Sequence, residues 1–347
     1  MASKKRILIT GGAGYIGSHA MKEAARFGYE AVAFDNLSLG HAWAVPKGAL
    51  RKGDLAQESA ILQALRKVKP VAVMHFASHA AVGESVVNPQ KYYRENLTNA
   101  MNLFSAMLKT KVVYFIFSST CATYGEPKQV PIPEEHPQDP VNPYGDSKLM
   151  IEKIVAWYGK AYGLKSTFLR YFNAAGADAT GSIGEVHEPE AHLIPLVLDA
   201  ALGRRKEITV FGTDYPTPDG TCIRDYIHVT DLAISHYLAL KVMMEKGQGD
   251  AFNLGTGRGY SVKEVIAEAQ RVTGKLIPVN YGPRRLGDPP ELVGKTDKAE
   301  KILGWKPEHS NLENILKTAW AWHKNWFGKT AKPKAGKALS KRKSRGS

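Results

Sequence analysis

The stretch Arg6-Ile7-Leu8-Ile9-Thr10-Gly11-Gly12-Ala13-Gly14-Tyr15-Ile16-Gly17 decides the reading of this chain. A short apolar strand runs into a glycine turn, and an amphipathic stretch from Tyr15 to about Arg26 follows it. Gly11 permits the tight turn, Gly14 lets backbone amides approach a pyrophosphate, and Gly17 lets helix and strand pack closely. The helix N-terminus then presents unpaired N–H groups to phosphate. A second apolar strand, Ala31-Val32-Ala33-Phe34, ends on Asp35. An acid at that spacing accepts hydrogen bonds from adenosine ribose hydroxyls and repels a 2′-phosphate, so the motif predicts NAD rather than NADP.

Outward from this unit, strands and helices alternate. Strands are expected at Arg6–Thr10, Ala31–Asp35, Ala49–Gly53, Val71–Phe76, Val112–Ser118 and Ser166–Arg170. Helices are expected at Tyr15–Arg26, Gln57–Lys67, Pro89–Leu108 and Tyr144–Tyr162. That rhythm predicts an α/β fold, a Rossmann-like doubly wound parallel sheet with helices on both faces. After Asn173 the rhythm breaks. Ala174–Ala191 reads as loop and Asp214–Gly220 as a turn, with helices at Leu193–Leu202, Thr230–Glu245 and Ser261–Thr273 and strands at Ile208–Phe211 and Ala251–Leu254. The expected organisation is a dinucleotide-binding domain over 1–173, to which later segments return. A smaller mixed α/β substrate lobe covers 174–328, and a disordered basic tail covers 329–347. Ligands belong in the cleft at the C-terminal ends of the strands.

The 347 residues can bury a large core. Two cysteines, Cys121 and Cys222, imply no disulfide framework. No stretch reads as a signal peptide and no apolar run approaches the ~20 residues of a membrane span, so the cytoplasm is the default compartment. The net charge of +14 resembles a nucleic-acid signal, but eight lysines and arginines from Lys329 onward leave +6 for everything before them. A solvated tail explains the excess, and nucleic acid is not the expected partner.

The chemistry is expected where the strand ending Ser118-Ser119-Thr120 meets Tyr144-Gly-Asp-Ser-Lys148 at a helix start. Tyr and Lys at i and i+4 share one helix face. A cationic Lys148 favours phenolate, as does an oxidised nicotinamide ring, and Thr120 can hydrogen-bond the same oxygen. A phenolate poised near neutrality takes a proton from an alcohol as hydride leaves. The pattern occurs three times. Tyr124–Lys128 is interrupted by Gly-Glu-Pro, and Tyr237–Lys241 reads as a packed mid-helix tyrosine far from the glycine-turn half. The histidines His75, His79, His187, His192 and His228 show no zinc-type spacing and no carboxylate cluster beside them, so no metal site is expected.

These motifs together resemble the extended short-chain dehydrogenase/reductase family, and within it the UDP-glucose 4-epimerases, over about residues 5–327. The resemblance rests on the glycine turn with Ser18-His19, Asp35-Asn36-Leu37, Gly53-Asp54, His75-Phe-Ala77, Phe117-Ser-Ser-Thr120 and Pro143-Tyr-Gly-Asp-Ser-Lys148. It extends through Leu169-Arg-Tyr-Phe-Asn173, Arg224-Asp-Tyr-Ile-His228, Asn253-Leu-Gly255 and Arg284-Arg-Leu-Gly-Asp288. It implies Tyr144 as base, Lys148 as its partner and Thr120 as hydroxyl aid. Gly11, Gly14, Tyr15, Ile16, Asp35, Asn36, Asp54, Leu55, Phe76, Ala77, Asn96 and Tyr171, with Tyr144 and Lys148, would line NAD. Thr120, Phe172, Asn173, His192, Leu193, Val210, Phe211, Arg224, Tyr226, Arg285, Asp288 and Leu292 would hold a UDP-sugar. The two arginines suit the diphosphate. Ala80 stands where some members carry a cofactor-touching lysine. Leu292 borders the expected sugar pocket, and a bulky residue there is associated with exclusion of N-acetylated sugars. The implied activity is reversible 4-epimerisation through a transient 4-keto sugar, of UDP-glucose first and of UDP-pentoses or UDP-N-acetylhexosamines as alternatives. A 4,6-dehydratase or decarboxylase lacks its acid–base pair, because Cys121-Ala122 follow Thr120. A non-catalytic NAD-binding regulator would not need the Thr120–Tyr144–Lys148 set. The family further implies a homodimer through a four-helix bundle of Pro89–Leu108 and Tyr144–Tyr162.

Overall fold

The computed structural model describes residues 4–285 and 287–328; the basic tail of the sequence reading lies outside them. The strands are β1 (Lys5–Thr10), β2 (Tyr29–Asp35), β3 (Leu50–Lys52), β4 (Ala72–His75), β5 (Tyr114–Thr120), β6 (Lys165–Tyr171), β7 (Asn173–Ala175), β8 (Ile208–Phe211), β9 (Ile223–His228), β10 (Ala251–Leu254), β11 (Gly259–Ser261), β12 (Val279–Gly282) and β13 (Glu291–Leu292). The α-helices are α1 (Tyr15–Glu23), α2 (Glu58–Val68), α3 (Val82–Val87), α4 (Pro89–Tyr92), α5 (Asn99–Thr110), α6 (Pro143–Tyr162), α7 (Leu193–Ala201), α8 (Val229–Lys246), α9 (Val262–Thr273), α10 (Asp297–Leu303) and α11 (Leu312–Phe327).

Seven parallel strands form the main sheet in the order β10-β6-β5-β4-β1-β2-β3. The fold is a Rossmann-like doubly wound sheet. Successive side chains of a strand point to opposite faces, and the core follows that alternation. Ile7, Ile9, Ala31, Ala33 and Ile116 pack with Ala20, Leu232 and Leu240 of α1 and α8. Leu8, Val32, Phe34, Phe115 and Phe117 pack with Ile61, Leu65, Leu103, Phe104 and Val155 of α2, α5 and α6. Both faces are covered, as a parallel sheet requires. Strand order reverses between β1 and β4, which opens the crevice in which such sheets bind ligands.

A second core joins α7, β8, α9 and α11 through Val197, Leu198, Val210, Val265, Ile315 and Leu316. Between the two cores lie β7, β9, β11 and β13, with β8 and β12 paired separately.

Three sequence expectations need correction. The helix expected over Pro89–Leu108 is interrupted by a π-helical turn at Tyr93–Thr98. Such wide turns insert where a side chain must be re-aimed, and this one carries the buried Asn96. Tyr237 is a packed tyrosine but not a remote one: its hydroxyl donates to the Ala20 carbonyl of α1 at 2.6 Å. The helix α8 returns from late in the sequence to cover the face of the sheet that carries the glycine turn. The segment expected as loop from Ala174 begins inside a strand, because β7 pairs with β9.

Candidate active site

The turn after β1 is shaped for a dinucleotide. Gly11 adopts φ +72°, and a Cβ there would lie 2.5 Å from the Ala77 amide nitrogen; one on Gly17 would lie 2.1 Å from the Gly11 carbonyl oxygen. Neither position admits a side chain. A Cβ on Gly14 would meet only the Gly11 oxygen, at 3.3 Å, so the outer face of Gly14 stays open. Tyr15 and Ile16 open α1, and among the described residues their N–H groups have no backbone acceptor. A phosphate fits that cradle.

Asp35, buried at the end of β2, accepts from the Ala13 amide (3.0 Å) and the Leu37 amide (2.8 Å). Its carboxylate is thereby held rigid with lone pairs to spare. Asn36 donates to Asp54 at 3.0 Å, and Leu55 is buried beneath them in the core. Phe76 and Ala77 leave β4 with their amides on the Thr10 carbonyl and Phe76 packed on His236. The Asn96 amide is spent on the chain itself: it exchanges hydrogen bonds with the His79 backbone and reaches Ser147. It ties the loop after β4 to α6.

Thr120 ends β5, and Tyr144 stands in the first turn of α6. Asn142 caps that helix by accepting from the Gly145 amide, with Pro143 at the first helical position. The Thr120 hydroxyl lies close enough to the Tyr144 phenol to act on it, while accepting from the Ala122 amide. One turn on, Lys148 is buried and donates to the Ser118 carbonyl at 2.9 Å. Tyr171, directly across the sheet from Thr120, hydrogen-bonds Ser118.

The expected lowering of the phenol does not come from the chain alone. Burial pushes Tyr144 up to about 12, with the Thr120 hydroxyl opposing it. Burial also pulls Lys148 down to about 7, against the attraction of Glu152. An ammonium so weakened is a poor source of positive charge.

The substrate candidates gather on the other wall. Arg224 on β9 pairs with Asp288 at 2.6 Å, and Arg285 pairs with the same carboxylate at 2.8 Å. Arg285 also lies over the Phe211 ring, its carbon 5.2 Å from the centre. Val210 is buried beside Phe211 on β8, and Tyr226 is buried on β9 opposite Asn173. Asn173 donates to the Asp225 carbonyl at 3.0 Å. Phe172 packs with Cys121, Tyr124 and Ile132, and Leu292 closes that cluster. Leu193 opens α7 directly after His192.

The histidine reading holds in part. His75 is buried, hydrogen-bonded to Thr10 at 2.6 Å and stacked on Phe117. His187 and His192, however, do have carboxylates beside them, Glu185 and Glu190, at 2.9–3.6 Å. The segment folds back on itself, which no helical or strand spacing announces. Burial acts against the charged imidazoles, but the two carboxylates outweigh it and lift His187 to about 9 and His192 well above its ordinary value.

Two supporting networks escape the motif reading. Under the catalytic candidates, Arg170 pairs with Glu152 at 2.6 Å and bonds the Tyr124 hydroxyl at 3.0 Å, while Ser119 donates to the same Glu152. Asp225 accepts from Thr256, Gly257 and Gly294 and so fixes the strand that carries Arg224. Burial raises its carboxyl to about 6 despite those bonds. The motif Arg224-Asp-Tyr-Ile-His228 held the signal, but its acid has no partner nearby in sequence.

The sequence profile of the NAD dependent epimerase/dehydratase family matches residues 7–255. The chain belongs to that family. Within the NAD dependent epimerase/dehydratase family it is 50% identical to a UDP-glucose 4-epimerase of Lactobacillus helveticus over 321 residues, 92% of this chain and 97% of that protein. Its structure is similar to UDP-glucose 4-epimerase from Brucella ovis in complex with NAD (TM-score 0.89, 49% identity, 91% and 97% of the two chains). It is also similar to the Bifidobacterium longum enzyme in complex with NAD+ and UDP (TM-score 0.87, 38% identity, 92% and 98%). Among the described residues no helix is long and apolar enough to cross a membrane.

Proposed function

We propose that this protein interconverts UDP-glucose and UDP-galactose by reversible 4-epimerisation, with NAD as its resident cofactor. The reading rests above all on one arrangement: the Tyr144 phenol, beside the Thr120 hydroxyl, on the same helix face as Lys148 and at the strand ends of a dinucleotide-binding sheet. The dinucleotide cradle is shaped by Gly11, Gly14 and Gly17, with Asp35 placed for the adenosine ribose. When bound, NAD supplies a hydride acceptor that returns the same hydride, so no external oxidant is consumed.

Tyr144 takes the proton of the sugar C4 hydroxyl as hydride leaves that carbon, and gives it back when hydride returns to the opposite face. Thr120 holds the reacting oxygen. Lys148, fixed by Ser118, would hold the nicotinamide ribose beside the phenol and adds what positive charge burial leaves it. Arg224 and Arg285 are the diphosphate ligands, and Asp288 accepts from uridine ribose. The flanking Asn173, His192, Leu193, Val210, Phe211 and Tyr226 complete the nucleotide grip, with Phe172 and Leu292 against the sugar. Tight contacts on UDP with loose ones on the ring let the ketose present both faces. Galactose metabolism in the cytoplasm is the corresponding setting. A homodimer through α5 and α6 is favoured by the exposure of Trp157 and Tyr162 on α6, at 66% and 60%.

The test is incubation of the purified protein with UDP-glucose, UDP-N-acetylglucosamine and UDP-xylose separately, with products resolved by chromatography. The expected product is UDP-galactose from the first. Turnover of only one of the other two replaces the assigned sugar, and no turnover of any refutes the reading.

A further inference from the structure

Four potential metal ligands outside the catalytic triad converge within the eight residues 185–192. They are Glu185, His187, Glu190 and His192, and one donor atom from each lies within 4.8 Å of all the others. Both histidines present Nδ1. His192 Nδ1 is 2.9 Å from Glu185 Oε1 and 3.0 Å from Glu190 Oε1, and His187 Nδ1 is 3.1 Å from Glu185 Oε1 and 3.6 Å from Glu190 Oε2. We propose that Glu185, His187, Glu190 and His192 form a binding site for a divalent transition-metal cation of the zinc class.

The spacing is that of a coordination shell. Zinc–nitrogen and zinc–oxygen bonds of about 2.0–2.2 Å in a tetrahedron put neighbouring ligand atoms about 3.3–3.6 Å apart. The four nitrogen–oxygen separations, 2.9–3.6 Å, bracket that edge, and all donor atoms lie within 4.8 Å of one another, so side-chain adjustment alone can close the shell around a cation. Two imidazoles and two carboxylates neutralise a dication, and imidazole selects zinc, cobalt or iron over the hard magnesium and calcium ions. A purely ion-paired cluster would align each N–H with a carboxylate lone pair. His187 departs from that: its Nδ1 is buried and close to both acids yet hydrogen-bonded to neither.

The surroundings hold the ligands in place as a metal's outer shell does. The Glu185 backbone carbonyl accepts from the Trp322 indole at 3.1 Å. The Tyr15 ring meets the His187 ring edge to face, with centroids 6.4 Å apart. Glu190 Oε1 accepts from the backbone amides of Ala191 and His192. His192 occupies the N-cap position of α7, with its side chain turned to the carboxylates rather than to the helix amides. A cation on its Nδ1 leaves Nε2 free, and so pins the segment between β7 and α7 beside the nucleotide lobe without closing it.

The experiment uses the full chain, stripped with a chelator, dialysed and titrated with cobalt chloride alone while visible absorption is followed. The basic tail adds no competing side-chain donor, since 329–347 contain no His, Cys, Asp or Glu. One equivalent of cobalt per chain with the intense d–d bands of a tetrahedral centre, bleached by zinc chloride, is the expected result. His187→Ala and Glu190→Gln should each weaken cobalt binding by at least about tenfold while circular dichroism stays native. If one variant does not fold, the other carries the test. A wild-type chain that shows no tetrahedral bands, or cobalt affinity unchanged in a folded variant, overturns the site. Neither readout depends on turnover of any sugar.

Discussion

Lys148 Nζ stands 5.9 Å from the centre of the Tyr144 ring and is tethered to the Ser118 carbonyl instead of the phenol. At that range no hydrogen bond joins the two, so the ammonium can favour phenolate only through its field, whose strength depends on its own charge. Burial pulls Lys148 down to about 7, so that charge is weakened near neutrality. A bound, oxidised nicotinamide ring would supply complementary positive charge and favour ionisation of the phenol.

This separation predicts different kinetic signatures for the two residues. Tyr144→Phe should lower kcat by about 10²–10⁴ while UDP binding persists, because only proton transfer is lost. Lys148→Met should instead move the acidic limb of the kcat/KM profile upward, by about one to two pH units for a charge at this distance. Steady-state kinetics over pH 5–10 separate these outcomes, and an unmoved limb in Lys148→Met removes the assigned electrostatic role.

Stability should carry two opposing pH signatures from histidine. Burial holds His19 and His236 near 4, and His75 and His228 near 3. Their folded values lie below the unfolded ~6.5, so the unfolded state binds more protons between them and stability falls as pH drops from 6.5 toward 3. His187 has the reverse sign. Its contribution is full below about 6.5 and is lost as pH rises toward 9. Thermal melts across pH 4–9 should show both slopes, and His187→Gln should reduce only the alkaline one, to which the raised His192 also contributes.

The Glu152–Arg170 pair is buried, with side chains 4% and 7% exposed. Removing one partner strands a charge, so Arg170→Met should cost about 3–5 kcal/mol in denaturant unfolding. The double replacement Glu152→Leu with Arg170→Met should cost less than the single. Equal or greater loss in the double variant would sink this account.

Gly17→Ala should abolish retention of NAD by the purified protein, because its Cβ cannot coexist with the Gly11 carbonyl. Gly83→Ala is the control, since a Cβ there meets nothing within 4 Å and the φ is ordinary. Absorbance of released nicotinamide after denaturation measures both.

Leu292 closes the cluster of Phe172, Tyr124, Cys121 and Ile132. Leu292→Gly should raise kcat/KM for UDP-N-acetylglucosamine relative to UDP-glucose by about tenfold or more, the order expected for opening a hydrophobic pocket. An unchanged ratio would place the sugar pocket elsewhere.

The first half of the fold was legible because its signals are local. A glycine that needs positive φ, an acid at a strand end and a proline at a helix start each depend on backbone sterics within a few residues. So the strand from Arg6, the turn at Gly11 and a helix opening near Tyr144 could be read from the chain alone, and with them the cofactor and the placing of Tyr144 and Lys148 on one helix face. Other features depend on which surfaces meet in space. Packing of α8 onto α1, which brings Tyr237 to Ala20, follows from covering both faces of a seven-stranded sheet. The pairing of Arg224 with Asp288 and the bond from Asn96 to Ser147 join elements distant in sequence. The rise of the Tyr144 phenol, opposite to what its lysine neighbour implies, was decided by burial. The convergence of Glu185, His187, Glu190 and His192 was decided by a loop that no periodicity describes. Desolvation and long-range contact are properties of the folded whole, and the order of residues does not carry them.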